Sequence, residues 1–224
     1  MSFNYSRRQV LAGGLGVAGL ALASCTTAQK QPFAARPQPQ VDQTFVLNYG
    51  PRADEPFPLP GIDPNALAPQ FRRQQVAYQT QEKPGTVIVD TVNFYLYVVE
   101  PSGTAMRYGV GLGRQGFEWS GRARIAWKRP WPTWTPPDEM IAREPHLEQY
   151  SVRNGGMSSC LANTLVSRFL YIFQGSIDTL YRLHGNNEPH SIGKAVSSGC
   201  VRLINQDVID LYARVASGAE IVVV

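Results

Sequence analysis

Leu183 to Leu203 reads LHGNNEPHSIGKAVSSGCVRL. The stretch holds two of the chain's three histidines and one of its three cysteines. His184 and Cys200 each stand beside a glycine, sixteen positions apart. A thiol becomes a nucleophile when a neighbouring imidazole takes its proton, because the thiolate is the reactive form. A buried cysteine is also an ordinary small hydrophobe, and a lone histidine an ordinary core side chain. Spacing alone leaves both readings open, since such partners meet in space and not in sequence.

The surrounding residues narrow the choice. His184-Gly185 followed by Ser197-Ser198-Gly199-Cys200-Val201-Arg202 resembles the active-site signature of the L,D-transpeptidases, the YkuD-type catalytic domain of bacterial wall enzymes, in its Gram-negative form. The resemblance spans roughly residues 84 to 224. It implies Cys200 as nucleophile, His184 as its base, and the Gly185 carbonyl as the group orienting the imidazole. It further implies main-chain N–H groups of Gly199 and Cys200 as oxyanion donors. Arg202 becomes a candidate clamp for a substrate carboxylate, since a guanidinium presents paired donors, and its other reading is a surface ion pair. Ser197 and Ser198 are expected to shape the loop or contact substrate. His190 is at most a groove wall. A Cys–His pair of this kind is expected to hold much of the thiol as thiolate at neutral pH.

Working outward, the body from Pro84 has the texture of a mainly β domain. Thr86 to Asp90 and Phe94 to Val99 read as a hairpin, Ala105 to Val110 as a third strand, and Arg122 to Lys128 as another. Phe169 to Gln174 and Leu180 to Leu183 are strands, the second delivering His184. Val208, Leu211, Tyr212 and Val215 recur at helical spacing after Asn205, a favourable N-cap, and Ser217-Gly218 stops that helix. Glu220 to Val224 is apolar and β-branched, a strand for the inside of a sheet. The expected fold is therefore mainly β with one clear amphipathic helix after the Cys loop. This agrees with the β-sandwich-like fold that the resemblance implies.

Two stretches are less regular. Gly111 to Gly116 spells GxGxxG, but no helix is expected after it and no βαβ unit encloses it, so it fails as a dinucleotide fingerprint. Lys128 to Met140 is rich in proline and tryptophan, which suits a packed surface loop or a groove wall. Gly155 to Phe169 departs from the family pattern at Thr164 and Val166, while Asn163 and Leu165 match. Cys160 matches no family residue with a role.

Residues 1–25 look like an export leader. Ser6-Arg7-Arg8 resembles a twin-arginine signal, and Val10 to Ser24 has the length of a signal core rather than of a membrane span. Leu22-Ala23-Ser24-Cys25 resembles a lipobox, which would place lipid on Cys25; an ordinary signal cleaved nearby is the other reading. Residues 26–83 are a Pro/Gln-rich tether and extended arm. Ten of the seventeen prolines lie between 26 and 84. Within the arm Phe45 to Tyr49 reads as a short strand, and Phe71 to Tyr78 as either helical turns or an extended segment packed on the domain. The 21 basic and 17 acidic residues leave the exported chain only weakly basic, which argues against nucleic acid as a partner. The cysteine and histidine spacings match no zinc site. A Cys160–Cys200 disulfide suits an oxidising compartment but would block the nucleophile.

The resemblance implies the remaining functional expectations. The substrate is a peptidoglycan tetrapeptide stem, cleaved between diaminopimelate and D-alanine through a thioester, with no cofactor. The acceptor is a second stem, giving a 3→3 cross-link, or a lysine of an outer-membrane lipoprotein. Water as acceptor would make the enzyme an L,D-carboxypeptidase or amidase, and a chain without turnover would be a wall-binding lipoprotein. The expected location is the periplasm, with membrane contact through a lipid on Cys25. Carbapenems are the expected inhibitor class.

Overall fold

The structure is a computed structural model. It describes residues 42–113, 120–160, 167–197 (main chain only at 196 and 197) and 200–224. The leader, Cys25, residues 114–119, the Asn163 to Val166 segment, Ser198 and Gly199 lie outside the described residues.

Short β-branched runs alternate with glycine and proline turns from Pro84 onward, and they pair as that pattern dictates. Strands β2 (Val87–Asp90) and β3 (Tyr95–Glu100) form an antiparallel hairpin, and β4 (Thr104–Gly109) extends it. Strand β1 (Gln74–Ala77) adds to the free side of β4, so most of Phe71 to Tyr78 is extended, while Phe71 itself ends a short 3-10 turn (Pro69–Phe71). On the other side lie β6 (Gly121–Pro130), β7 (Arg168–Gln174), β8 (Ile177–Asn186) and β10 (Val201–Ile204). Strand β11 (Glu220–Val223) joins the two sets, parallel to β2 and antiparallel to β6. The resulting nine-stranded order is β1-β4-β3-β2-β11-β6-β7-β8-β10. A short parallel pair, β5 (Leu112–Gly113) with β9 (Ala195–Ser197), stands apart.

The ends of this sheet approach one another. Gly111, just past β4, pairs with Arg202 of β10 through two main-chain hydrogen bonds of 2.8 and 2.9 Å. Folding the sheet back in this way encloses the main apolar core. Val87, Leu96 and Tyr108 from one half meet Ile125, Leu170, Leu183 and Leu203 from the other. Beyond the short helix α2 (Asp138–Arg143), helix α3 (Asn205–Arg214) closes the core with Val208 and Leu211, and Val215 follows just after it. Lys128 fixes its C-terminal end by donating to the Tyr212 and Val215 carbonyls, both at 2.6 Å, where a cation also suits the helix dipole. The mainly β expectation, with a helix after the Cys loop, agrees with this arrangement. The GxGxxG run is flanked by strand on both sides among the described residues.

The arm differs from its expected form. Phe45 to Tyr49 is not a strand but part of helix α1 (Gln43–Tyr49). The Asp42 carboxylate accepts from the Thr44 N–H and caps it. Phe45 and Tyr49, one helical turn apart, both enter a second apolar cluster with Leu67, Ile192 and Ile204. Burying such a side chain is worth about 1.5–3 kcal/mol, enough to override the β propensity of a short aromatic run. The arm is also tied electrostatically. Glu55 is buried, accepts from Arg168 at 2.7 and 2.9 Å and from the Trp131 indole N–H at 2.7 Å. Burial alone would push its carboxyl up, but these donors pull it below the ordinary value.

Candidate active site

His184 sits on β8, where β7 and β10 flank it on either side. Its register partners are Phe169 on β7 and Arg202 on β10. Because strand side chains alternate, Leu183, Val201 and Leu203 face the core while Arg182, His184 and Arg202 face the opposite side. Cys200 lies one residue ahead of β10, beside Arg182, whose main-chain N–H hydrogen-bonds the sulfur. The fold thus brings together the two residues that stand sixteen apart in the chain. Cys200 is half-buried and His184 is buried, with the Phe169 ring 5.4 Å away.

The imidazole is held in one orientation. His184 Nδ1 is 2.7 Å from the Gly185 carbonyl oxygen. A carbonyl can only accept, so Nδ1 carries the proton and Nε2 keeps its lone pair. Burial lowers the imidazole pKa to about 4; the bond to Gly185 opposes this and the Arg202 charge adds to it. The ring is therefore neutral at physiological pH.

The thiol does not follow the sequence expectation. Burial pushes Cys200 above its ordinary value, against the Arg182 N–H and the charges of Arg182 and Arg202, which pull it down. Burial thus favours the uncharged form of both groups, a thiol and a neutral imidazole. Such a pair favours proton transfer as the sulfur attacks over a standing thiolate.

A buried polar network supports Gly185. The Ser167 hydroxyl donates to Asn205 Oδ1 at 2.6 Å, and the Asn205 amide donates to Asn187. A methyl group on Gly185 would lie 2.1 Å from Asn205 Oδ1 and 2.8 Å from Ser167 Oγ. Asn205 is thus the first residue of α3 and not its N-cap, a position held by Ile204 without a side-chain bond. Its amide is engaged behind the histidine instead.

The other sequence candidates are placed as follows. Arg202 is 3.6 Å from the exposed Glu188 carboxylate, and its Nε has no partner among the described residues. Ser197 ends β9, opposite Gly113 of β5. His190 is exposed on a turn at Pro189–Ser191, and His146 is exposed beside Glu144. Cys160 and Cys200 are not joined by a disulfide. Among the described residues no group of three His, Cys, Asp or Glu side chains could hold a metal ion. Sequence reasoning missed Arg182, Phe169 and the Ser167–Asn205 pair. The signal for Arg182 and Phe169 is strand register, which no local pattern reveals.

Comparison with known proteins follows the same line. Residues 84–224 match the YkuD family, described as the L,D-transpeptidase catalytic domain. Among curated relatives, "Probable L,D-transpeptidase ErfK/SrfK" of Escherichia coli is 27% identical over 81% of this chain and 58% of its own length. "Probable L,D-transpeptidase YcfS" of the same organism is 28% identical over 60% and 42%. The chain therefore spans about half the length of these relatives. Among solved structures, one described as a probable carnitine operon oxidoreductase of Brucella melitensis is 47% identical, covering 70% of this chain and 96% of that one, with a TM-score of 0.48. An L,D-transpeptidase of Mycobacterium smegmatis is 17% identical over 62% and 58%, with a TM-score of 0.45.

Proposed function

This chain belongs to the YkuD family of L,D-transpeptidase catalytic domains, and from that membership we propose that it performs cysteine-dependent acyl transfer on peptidoglycan stems. The observation that carries the reading is the His184 Nδ1 contact with the Gly185 carbonyl, which leaves Nε2 as an acceptor on the strand beside Cys200.

Cys200 Sγ attacks the carbonyl carbon of diaminopimelate in a tetrapeptide stem while its proton passes to His184 Nε2. Main-chain N–H groups of Gly199 and Cys200 receive the developing oxyanion. The imidazolium returns the proton to the departing amine, D-alanine leaves, and a thioester remains. An incoming amine then attacks the thioester, Nε2 takes its proton, and the sulfur departs and is reprotonated. The amine is the side chain of a second diaminopimelate, giving a 3→3 cross-link, or a lysine of an outer-membrane lipoprotein. Arg202 holds a substrate carboxylate, and Ser197 and Ser198 shape the loop. Residues 1–25 export the chain to the periplasm, and lipid on Cys25 anchors it through the Pro/Gln-rich tether and extended arm of residues 26–83. Among the described residues no helix is long and apolar enough to cross a membrane.

The test incubates residues 26–224 with purified tetrapeptide muropeptides, beside a Cys200→Ala sample, and reads products by mass spectrometry. Loss of D-alanine with new cross-linked dimers in the first sample alone is the expected result. Tripeptide without dimers would make water the acceptor. No change in either sample would refute the catalytic reading.

A further inference from the structure

The face that carries His184 and Arg202 holds two rows of side chains running across the strands. One row is Arg129, Phe169, His184 and Arg202; the other is Trp127, Tyr171 and Arg182, ending beside Cys200. Their exposure differs. Phe169 and His184 are buried, whereas Trp127 is 37% exposed and Tyr171, Arg182 and Cys200 are half-buried. Beside Cys200 the second row is the more exposed of the two.

That row is built and not incidental. Trp127 and Tyr171 stack with ring centroids 3.5 Å apart. The Arg182 guanidinium lies 4.5 Å from the Tyr171 ring centre, and Asp178 grips it at 2.8 Å through both carboxylate oxygens. At the far end the Arg129 guanidinium lies 5.0 Å from the Trp127 ring centre. Arg182 has its carboxylate and Arg202 has Glu188 nearby. Arg129 is exposed and has no carboxylate within ion-pair distance among the described residues.

We propose that Arg129, on its Trp127–Tyr171 support, is a subsite that binds a carboxylate in the upstream part of an acidic donor peptide lying across the strands from Cys200. The inference rests on the acyl-transfer reading of Cys200. Three strand spacings separate Trp127 from Cys200, roughly 14 Å at about 4.8 Å each. In a tetrapeptide stem the attacked carbonyl belongs to the third residue, so the two residues upstream of it reach about 7 Å, and the Arg129 side chain reaches inward over Trp127 for the rest. Peptides with a carboxylate at that remove are held at both ends, and shorter ones reach only Cys200 and Arg182. Arg129 would thereby select for donor length and charge.

The test uses the full chain in detergent, with Cys200→Ala to prevent turnover, and measures binding by calorimetry. One ligand is the tetrapeptide stem, the other the dipeptide diaminopimelyl-D-alanine. Arg129→Gln should weaken tetrapeptide binding about fivefold, the worth of one charge-assisted contact at a partly exposed site. Arg129→Glu should weaken it further, Arg129→Lys should restore most of it, and the preference for the longer ligand should shrink in the first two. Equal weakening of both ligands, no weakening, or no tetrapeptide binding even before Arg129 is changed would overturn the subsite. D-alanine release by the unaltered chain is scored separately. Release together with Arg129-independent binding sinks the subsite alone. Arg129-dependent binding without release sinks the acyl-transfer reading alone.

Discussion

Replacing Gly185 with alanine is the sharpest probe of how the histidine is held. The added methyl would stand 2.1 Å from Asn205 Oδ1 and 2.8 Å from Ser167 Oγ. Neither neighbour yields cheaply, because both are buried and bonded to each other at 2.6 Å. Breaking that bond strands a buried polar group, at about 1–3 kcal/mol, and local overpacking adds roughly 1–3 kcal/mol. For a domain of this size each kilocalorie lowers Tm by about 2–4 °C, so the variant should melt roughly 4–24 °C lower. If the chain moves instead, the Gly185 carbonyl moves with it and His184 Nδ1 loses its acceptor. A misplacement of about 1 Å in such a group costs on the order of a hundredfold in rate. D-alanine release and thermal melting on one preparation separate the two losses. Adding Asn205→Ala to Gly185→Ala makes room for the methyl, so the pair should be less damaging than the sum of the single changes. A Gly185→Ala protein with native Tm and native turnover would refute the steric argument.

Other predictions follow from the same geometry. The acid limb of kcat/KM for acylation should fall near pH 4 and not near 6.5, because Nε2 accepts the thiol proton only while the imidazole is neutral; a limb at 6.5 would show a solvated histidine. Iodoacetamide should alkylate Cys200 slowly at pH 7 and ever faster through pH 9, since burial holds the thiol up; a fast plateau at pH 7 would mean a standing thiolate. Between pH 4 and 6.5 the folded chain binds fewer protons at His184 than the unfolded chain, so stability from this site is lost as pH falls through that window. Urea titrations of the parent and of His184→Gln should differ in slope there, and parallel curves would refute the linkage. Glu55→Ala leaves Arg168, whose side chain is 13% exposed, without its carboxylate. It should cost about 3–5 kcal/mol in urea unfolding, and a cost below 1 kcal/mol would mean that solvent already screens the pair.

The two central residues of the candidate site and most of the strands around it are legible in the sequence, for a physical reason. Short β-branched runs such as Val87–Asp90 and Glu220–Val223 commit locally, and the His184 and Cys200 surroundings form words of their own. What stayed hidden depends on contacts between distant segments. The aromatic run at Phe45 has β propensity, but its turn-by-turn burial against Ile192 and Ile204 makes it helical. Asn205 has the identity of a cap, yet Ser167 and Asn187 engage its side-chain amide. The thiol's protonation could not be read either, because burial sets it and the chain gives no measure of burial residue by residue.

Strand β11 has a consequence for the order of assembly. Its residue Ile221 pairs with Val87, 134 positions earlier, and with Ala123 on its other side. The hairpin of β2 and β3 can zip from local contacts, and β6 with β7 and β8 can do so separately. Neither half gains its shared core until a segment beyond residue 219 slots between them. Closing so long a loop before any reward arrives is slow. The unfilled slot meanwhile exposes two strand edges, a hazard for off-pathway pairing. A chain cut short of Glu220 should therefore be recovered as aggregate with two preformed subdomains, a kinetic dead end one strand away from the native sheet.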